Sequence, residues 1–211
     1  WRDFTPSLNP HNGGRYLLKF WGVQFRAQVW LNNTELGSHD GGEEAFVFDV
    51  SDAILPGQIN RLAVRVILPG ETRIESLVFS EIPARQASGG IWDSVDLMEV
   101  PALYLDDPDK VFIRPDPATG LIHVRAWVRN TGAASVEGSL KITVNPNGLE
   151  AAFSHIFASG VTQVDGQIHV SNCRLWEIND PYLYTVRTEV REAGSASYDE
   201  QTSRCGFRTF R

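Results

Sequence analysis

The stretch Ile122-His123-Val124-Arg125-Ala126-Trp127-Val128-Arg129 alternates apolar and polar residues with a period of two, with Trp127 as the one exception. Successive side chains of a β-strand point to opposite faces, so the pattern describes a strand with one face in a core and the other outside it. The same rhythm recurs on both sides. Leu140, Ile142 and Val144 alternate with Ser139, Lys141 and Thr143. Tyr184, Val186, Thr188 and Val190 alternate with Thr185, Arg187, Glu189 and Arg191, Thr188 being the polar member of the inner set. In the first half, Leu62, Val64, Val66 and Leu68 share a face opposite Ala63, Arg65 and Ile67. Half-buried antiparallel strands have this layout. From Phe20 to Leu31 the apolar run is more continuous, which predicts a strand covered on both faces.

Turn chemistry separates these runs. Asn32-Asn33 can supply the positive φ values of a two-residue hairpin, and Gly37 permits a backbone that a Cβ would penalise. Gly41-Gly42, Pro56-Gly57, Pro69-Gly70, Gly89-Gly90, Asn147-Gly148 and Asp165-Gly166 punctuate the rest. The single helical expectation is one turn at 51–55, with Ser51 as N-cap, Asp49 able to cap as well, and Pro56-Gly57 as the stop. Asn60 is placed to close the following loop, and Pro181 to start a strand. Many short strands with frequent turns and almost no helix predict β-sandwiches. The strand pattern stops after Val100, and Asp106-Asp107-Pro108-Asp109 is polar and turn-prone, so a domain break is expected within 101–109. The expected domains are 1–107 and 108–211.

Length and charge exclude several functions. A (β/α)₈ barrel needs about 250 residues, more than the 211 present. The net charge of −7 and the absence of a Lys/Arg run remove the usual electrostatic basis for binding nucleic acid or an anionic membrane. The longest apolar stretches are strand-sized, so no membrane span is expected. Two cysteines, Cys173 and Cys205, cannot form a disulfide framework, and both are expected to be free small hydrophobes. The chain begins at Trp1, its one methionine is Met98, and strand pattern starts almost at once. The expectation is therefore a piece of something longer, truncated at the start of its first domain. Localisation stays open between a cytoplasmic and an exported protein.

An ordered series of motifs makes the reading specific. Leu18-Lys19-Phe20-Trp21-Gly22-Val23, Ala27-Gln28-Val29-Trp30-Leu31-Asn32 and Leu36-Gly37-Ser38-His39 come first. Gly42, Phe46-Val47-Phe48-Asp49-Val50, Gly57 and Asn60-Arg61-Leu62-Ala63-Val64-Arg65-Val66 follow, and then Gly89-Gly90-Ile91-Trp92-Asp93-Ser94-Val95. This series resembles the sugar-binding-type jelly roll of glycoside hydrolase family 2, the β-galactosidases, β-glucuronidases and β-mannosidases. Trp176-Glu177, Asp180-Pro181-Tyr182-Leu183-Tyr184 and Gly206-Phe207-Arg208-Thr209 resemble the immunoglobulin-like sandwich that precedes that family's catalytic barrel. The resemblance implies an all-β fold, a galactose-binding-like jelly-roll β-sandwich followed by an immunoglobulin-like β-sandwich. The parent it implies is a retaining O-glycosidase whose barrel lies outside this chain.

Retaining hydrolysis uses two carboxyl groups about 5–5.5 Å apart, and the family carries both on the barrel. No catalytic residue is therefore assigned to this chain. Glu43-Glu44, in a loop after Gly42, is read as solvated. In the family, the loop before the Gly-Ile-aromatic strand can reach the active-site mouth, often with an acidic residue. Here that loop, 81–90, carries Arg85 and Gln86 instead, and these two are the candidate substrate-binding residues. The five histidines show no metal-ligand spacing. Asp106, Asp107 and Asp109 offer oxygen ligands for a structural Ca²⁺ or Na⁺, but a polar linker is the reading taken, and no cofactor is assigned. Trp92, Trp30 and Trp176 are expected in core or interface packing, and Trp21 and Trp127 towards a neighbouring domain. Asn32-Asn33-Thr34 matches a glycosylation acceptor, although the turn explains Asn32 better. The expected partners are the missing barrel and the parent's carbohydrate substrate. An autonomous carbohydrate-binding module and an immunoglobulin-like adhesion protein are the alternatives.

Overall fold

A computed structural model describes residues 1–67, 89–106 and 111–209, and every regular element among them is a β-strand. The chain divides into two units, Trp1–Pro10 with Gly14–Val100 and His11–Gly13 with Pro101–Arg211.

The first unit contains two antiparallel sheets. One has the order β1 (Arg2–Phe4), β7 (Asn60–Ile67), β4 (Arg26–Leu31), β5 (Thr34–Asp40). The other has β6 (Phe46–Asp49), β2 (Arg15–Phe20), β9 (Val95–Val100), and β3 (Val23–Gln24) pairs separately with β8 (Gly90–Ile91). Their core joins Tyr16, Leu18 and Phe20 of β2 to Ala27, Val29 and Leu31 of β4. Phe20 stacks on Phe46 at 4.9 Å between ring centroids. The apolar run expected as one strand from Phe20 to Leu31 is three: β2 ends at Phe20, β3 is a two-residue strand, and β4 starts at Arg26. β2 is the strand buried on both faces, whereas β4 alternates strictly. The chain changes sheets across this run: β2 pairs with β6 and β9, β3 with β8, and β4 with β5 and β7.

Local chemistry sets the turns. Asn32 and Asn33 have φ of 50° and 68°, flanked by the Leu31–Thr34 pair, which is the geometry of a two-residue primed hairpin. Gly37, with φ of 132°, accompanies a register shift beside Val29 and Trp30. The helix expected at 51–55 is one hydrogen-bonded turn, in which Ala53 N and Ile54 N both donate to Val50 O at 2.9 Å. Asp49, rather than Ser51, caps it, accepting from Ser51 N at 3.0 Å and Ser51 Oγ at 2.6 Å. Burial pushes the Asp49 carboxyl up, but the Ser51 hydroxyl and amide, helped by Arg15, outweigh it and hold the group below the usual carboxylate range.

In the second unit, β12 (Leu121–Asn130) pairs along one edge with β10 (Leu103–Leu105) and β11 (Val111–Asp116), and along the other with β15 (Gly160–His169). The facing sheet has the order β14 (Leu149–Phe157), β13 (Val136–Asn145), β16 (Tyr184–Glu192), β17 (Tyr198–Cys205). The inner residues read from period two are the buried ones. Ile122, Ala126 and Val128 are fully covered, as are Leu140, Ile142, Val144, Val186, Thr188 and Val190. The fold is all-β, a jelly-roll sandwich followed by an immunoglobulin-like one. Three details differ from expectation. Residues 101–106 group with the second unit rather than the first, because β10 is hydrogen-bonded to β12. The strand expected from Pro181 begins at Tyr184, because Tyr182 N donates to Asp180 O and so keeps those residues in a turn. Leu68 lies outside the described residues.

Both cysteines are free. Burial raises the Cys205 thiol to about 11, which leaves almost no thiolate to react. Native protein treated with iodoacetamide near pH 8 is expected to alkylate at Cys173 first, with Cys205 modified only after denaturation. Equal labelling of both in the native state, read by peptide mass spectrometry, would contradict this burial.

Candidate functional site

The end of the first unit that borders the loop 81–90 is built around a Gly–Trp contact. Arg85 and Gln86 lie outside the described residues; the described chain resumes at Gly89. From there, Gly90 and Ile91 pair with Gln24 and Val23, Trp92 N donates to Gly22 O at 3.1 Å, and Trp21 N donates to Ser94 O at 3.0 Å. The 21–24 and 90–94 segments thus run side by side. Gly22 has no side chain, and the Trp92 indole occupies that space: a Cβ built on Gly22 would stand 2.4 Å from Trp92 Cε2. Trp92 Nε1 donates to Gly42 O at 2.9 Å.

These contacts hold the ring while 58% of Trp92 stays exposed. Trp92 is therefore not in the core, one of the two placements expected for it, but a fixed aromatic surface three residues beyond Gly89. A rigid exposed indole offers stacking area at little entropic cost. Glu43 and Glu44 are exposed beside Gly42, as expected.

A second cluster flanks it. Trp21 Nε1 donates to Asp96 Oδ2 at 2.6 Å, and the Nζ of the fully covered Lys19 lies 3.5 Å from the centroid of the Trp21 ring, in cation–π geometry. Arg26 forms a two-point pair with Asp40, its Nη2 at 2.7 Å from Oδ2. That hydrogen bonding holds the Asp40 carboxyl below its ordinary value.

Several exposed carboxylates are held below their ordinary values by hydrogen bonds. Asp3 and Asp165 are held low by hydrogen bonds from Arg61 and Arg125, and Asp116 by Thr119 and the Ala118 amide. A general acid working near neutrality needs the opposite shift. Burial does raise Asp199, but its Oδ2 accepts from Leu105 N at 2.9 Å and it sits on the inner side of β17, holding two strands together. Among the described residues no group of three or more His, Cys, Asp or Glu is arranged to hold a metal. Asp106 of the candidate cation site instead pairs with Arg129; Asp107 and Asp109 lie outside the described residues. No helix among the described residues is long and apolar enough to cross a membrane.

The other expectations fall as follows. Trp176 is half-buried with the Arg208 guanidinium 4.3 Å over its ring, and Trp21, Trp30 and Trp127 are half-buried too. The Asn32 amide donates to Ala53 O at 2.9 Å and Asn60 Oδ1 at 2.6 Å, which commits it to the turn. Sequence reasoning missed the pairing of Gly22 with Trp92. The signal was a glycine amid bulky residues in Trp21-Gly22-Val23, where only a close neighbour explains the missing side chain.

Related proteins share this architecture. The chain is 28% identical over 198 residues to the β-galactosidase large subunit of Leuconostoc lactis, covering 93% of this chain and 30% of that protein. It is 25% identical over 215 residues to a β-glucuronidase of Paenibacillus borealis, covering 94% and 34% respectively. The crystal structure of a Bacteroides uniformis β-glucuronidase superposes with a TM-score of 0.80 at 20% identity, over 98% of this chain and 26% of that one. The chain thus spans between 17% and 34% of the length of such relatives. Residues 103–208 match the family model described as glycosyl hydrolases family 2, and with that match over half its length this chain belongs to the family.

Proposed function

We propose that this chain is the non-catalytic N-terminal part of a family 2 glycosidase acting on β-galactoside- or β-glucuronide-like substrates. In this reading the jelly roll forms one wall of the sugar site, with Trp92 as an aromatic surface and Arg85 and Gln86 as hydrogen-bonding groups of the adjoining loop. The immunoglobulin-like sandwich acts as spacer, and the missing barrel supplies both carboxyl groups. One observation carries the reading: the chain aligns with glycosidases over nine-tenths of its own length but only about a third of theirs. The held-low carboxylates support it, since none of them is tuned to donate a proton at neutral pH.

The isolated 211-residue chain is expected to give no turnover of nitrophenyl β-galactoside or β-glucuronide above the uncatalysed rate. Saturable hydrolysis by the pure chain would overturn the reading. The carbohydrate-binding-module alternative is favoured by the exposed Trp92 alone.

A further inference from the structure

We propose that the outer face of the β11–β12–β15 sheet, in the second unit, is a binding groove for an acidic saccharide. This goes beyond the reading above, which places sugar contacts in the first unit only.

The groove follows from register. Arg114, His123 and Gln167 are cross-strand partners and form one outward row; Phe112, Arg125 and Asp165 form the next. Between them runs the row Ile113, Val124, Gly166, whose side chains turn inward, so the floor is backbone. Gly166 has no side chain because the inner face has no room: a Cβ there would stand 2.8 Å from Ile142 and 2.9 Å from Phe153. The resulting cleft, of about 670 Å³, is lined by these rows and Trp127. Clefts of roughly 300–1,000 Å³ hold small ligands.

Its chemistry is mixed in a way that suits a sugar with a carboxylate. One wall is aromatic: Phe112 is 60% exposed and meets Trp127 edge-on, 5.5 Å between centroids, which steadies both rings. Such a wall packs against the C–H face of a pyranose. Beside it, Arg125 Nε donates to Asp165 Oδ1 at 2.7 Å and Gln163 Nε2 to Asp165 Oδ2 at 3.0 Å, a pair neutral in itself.

Arg114, by contrast, has no hydrogen bond or ion pair among the described residues. The next acid along β11, Asp116, gives one oxygen to the Ala118 amide and the other to the Thr119 hydroxyl. The guanidinium at the groove wall is thus a free fork, the geometry that matches a carboxylate. Phe112 and Arg114 are two residues apart on one strand face, about 7 Å. That span places a pyranose on the ring and its exocyclic carboxylate at the guanidinium, with His123 and Gln167 left for hydroxyls.

The test is calorimetric titration of the 211-residue chain with trigalacturonate and, in parallel, with neutral maltotriose. Saturable trigalacturonate binding is expected, weakened at least about tenfold by Arg114→Gln, by Phe112→Ala and by Trp127→Ala, with maltotriose binding at least about tenfold weaker than trigalacturonate. Glu150→Gln, on the facing sheet, is expected to leave it unchanged, and far-UV circular dichroism confirms that each variant folds. No heat at millimolar trigalacturonate, equal binding of the neutral sugar, or binding indifferent to Arg114→Gln and Phe112→Ala would overturn the proposal. So would concentration-dependent self-association abolished by Phe112→Ala, which would make the face a contact between copies. Each of these results leaves the turnover test of the proposed function untouched.

Discussion

Asn60→Ala is expected to destabilise the first unit by about 3 kcal/mol, the cost of orphaning several buried polar groups at once. Asn60 is fully covered. Its Oδ1 accepts from Leu55 N at 2.7 Å and from Asn32 Nδ2 at 2.6 Å, and its Nδ2 donates to Leu55 O and Gln58 O, both at 2.8 Å. All four hydrogen-bonding positions of the amide are filled, so no substitute of similar size reproduces them. Asn32, in turn, accepts from Arg61 N at 2.9 Å, so the two side chains tie the 32–33 hairpin to the start of β7. An Asn32→Gly variant keeps the positive φ and removes only the side chain. A double-mutant cycle of the two is therefore expected to show strong coupling. Urea unfolding, with hydrogen exchange in β4 and β7 as the local probe, measures the effect. A loss below about 0.5 kcal/mol, the level of an ordinary surface change, would show that water replaces the amide at no cost.

Phe207→Ala is expected to cost the second unit about 3–5 kcal/mol, as buried Phe truncations do. The ring is fully covered and meets Tyr184 edge-on, 5.4 Å between centroids. Two further contacts depend on its position. Its carbonyl accepts from Trp176 N at 2.8 Å, and Tyr184 Oη accepts from Arg174 N at 2.8 Å. A cavity here therefore loosens the 173–177 segment as well as the core. Faster exchange is expected in β16 and at Trp176, with the first unit's strands unaffected. Phe207→Leu, which retains most of the volume, is expected to cost less than about 1.5 kcal/mol. If both variants unfold together with the parent, Phe207 is not part of the core that the covered ring implies.

The candidate site was less legible than the fold. Arg85 and Gln86 were selected from a resemblance, because nothing in the loop's own composition separates a ligand contact from a surface contact. Trp92 was expected in core or interface packing because a large aromatic usually is covered, and although Gly22 stands out among bulky neighbours, nothing local to it names Trp92 as the ring that takes its space. The unit 2 groove was half-visible. Trp127 stood out as the apolar residue on the polar side of its strand, while Phe112 and Gln167 did not, since their place in the grid depends on which strands flank β12.

Alternation, turn residues and the order of motifs determined from the sequence alone that this is an all-β chain of two sandwiches and which family it resembles. Those signals are local, because a strand's pleat sorts neighbouring side chains whatever it later pairs with. The tertiary structure alone decided that Asn60 meets Asn32, that Trp92 covers Gly22, and that Arg114, His123 and Gln167 line up across three strands. Each of these depends on register between segments far apart in the chain. A one-residue slip of β11 or β15 against β12 would break the row of Arg114, His123 and Gln167, so packing of the whole core, not any local preference, selects the arrangement.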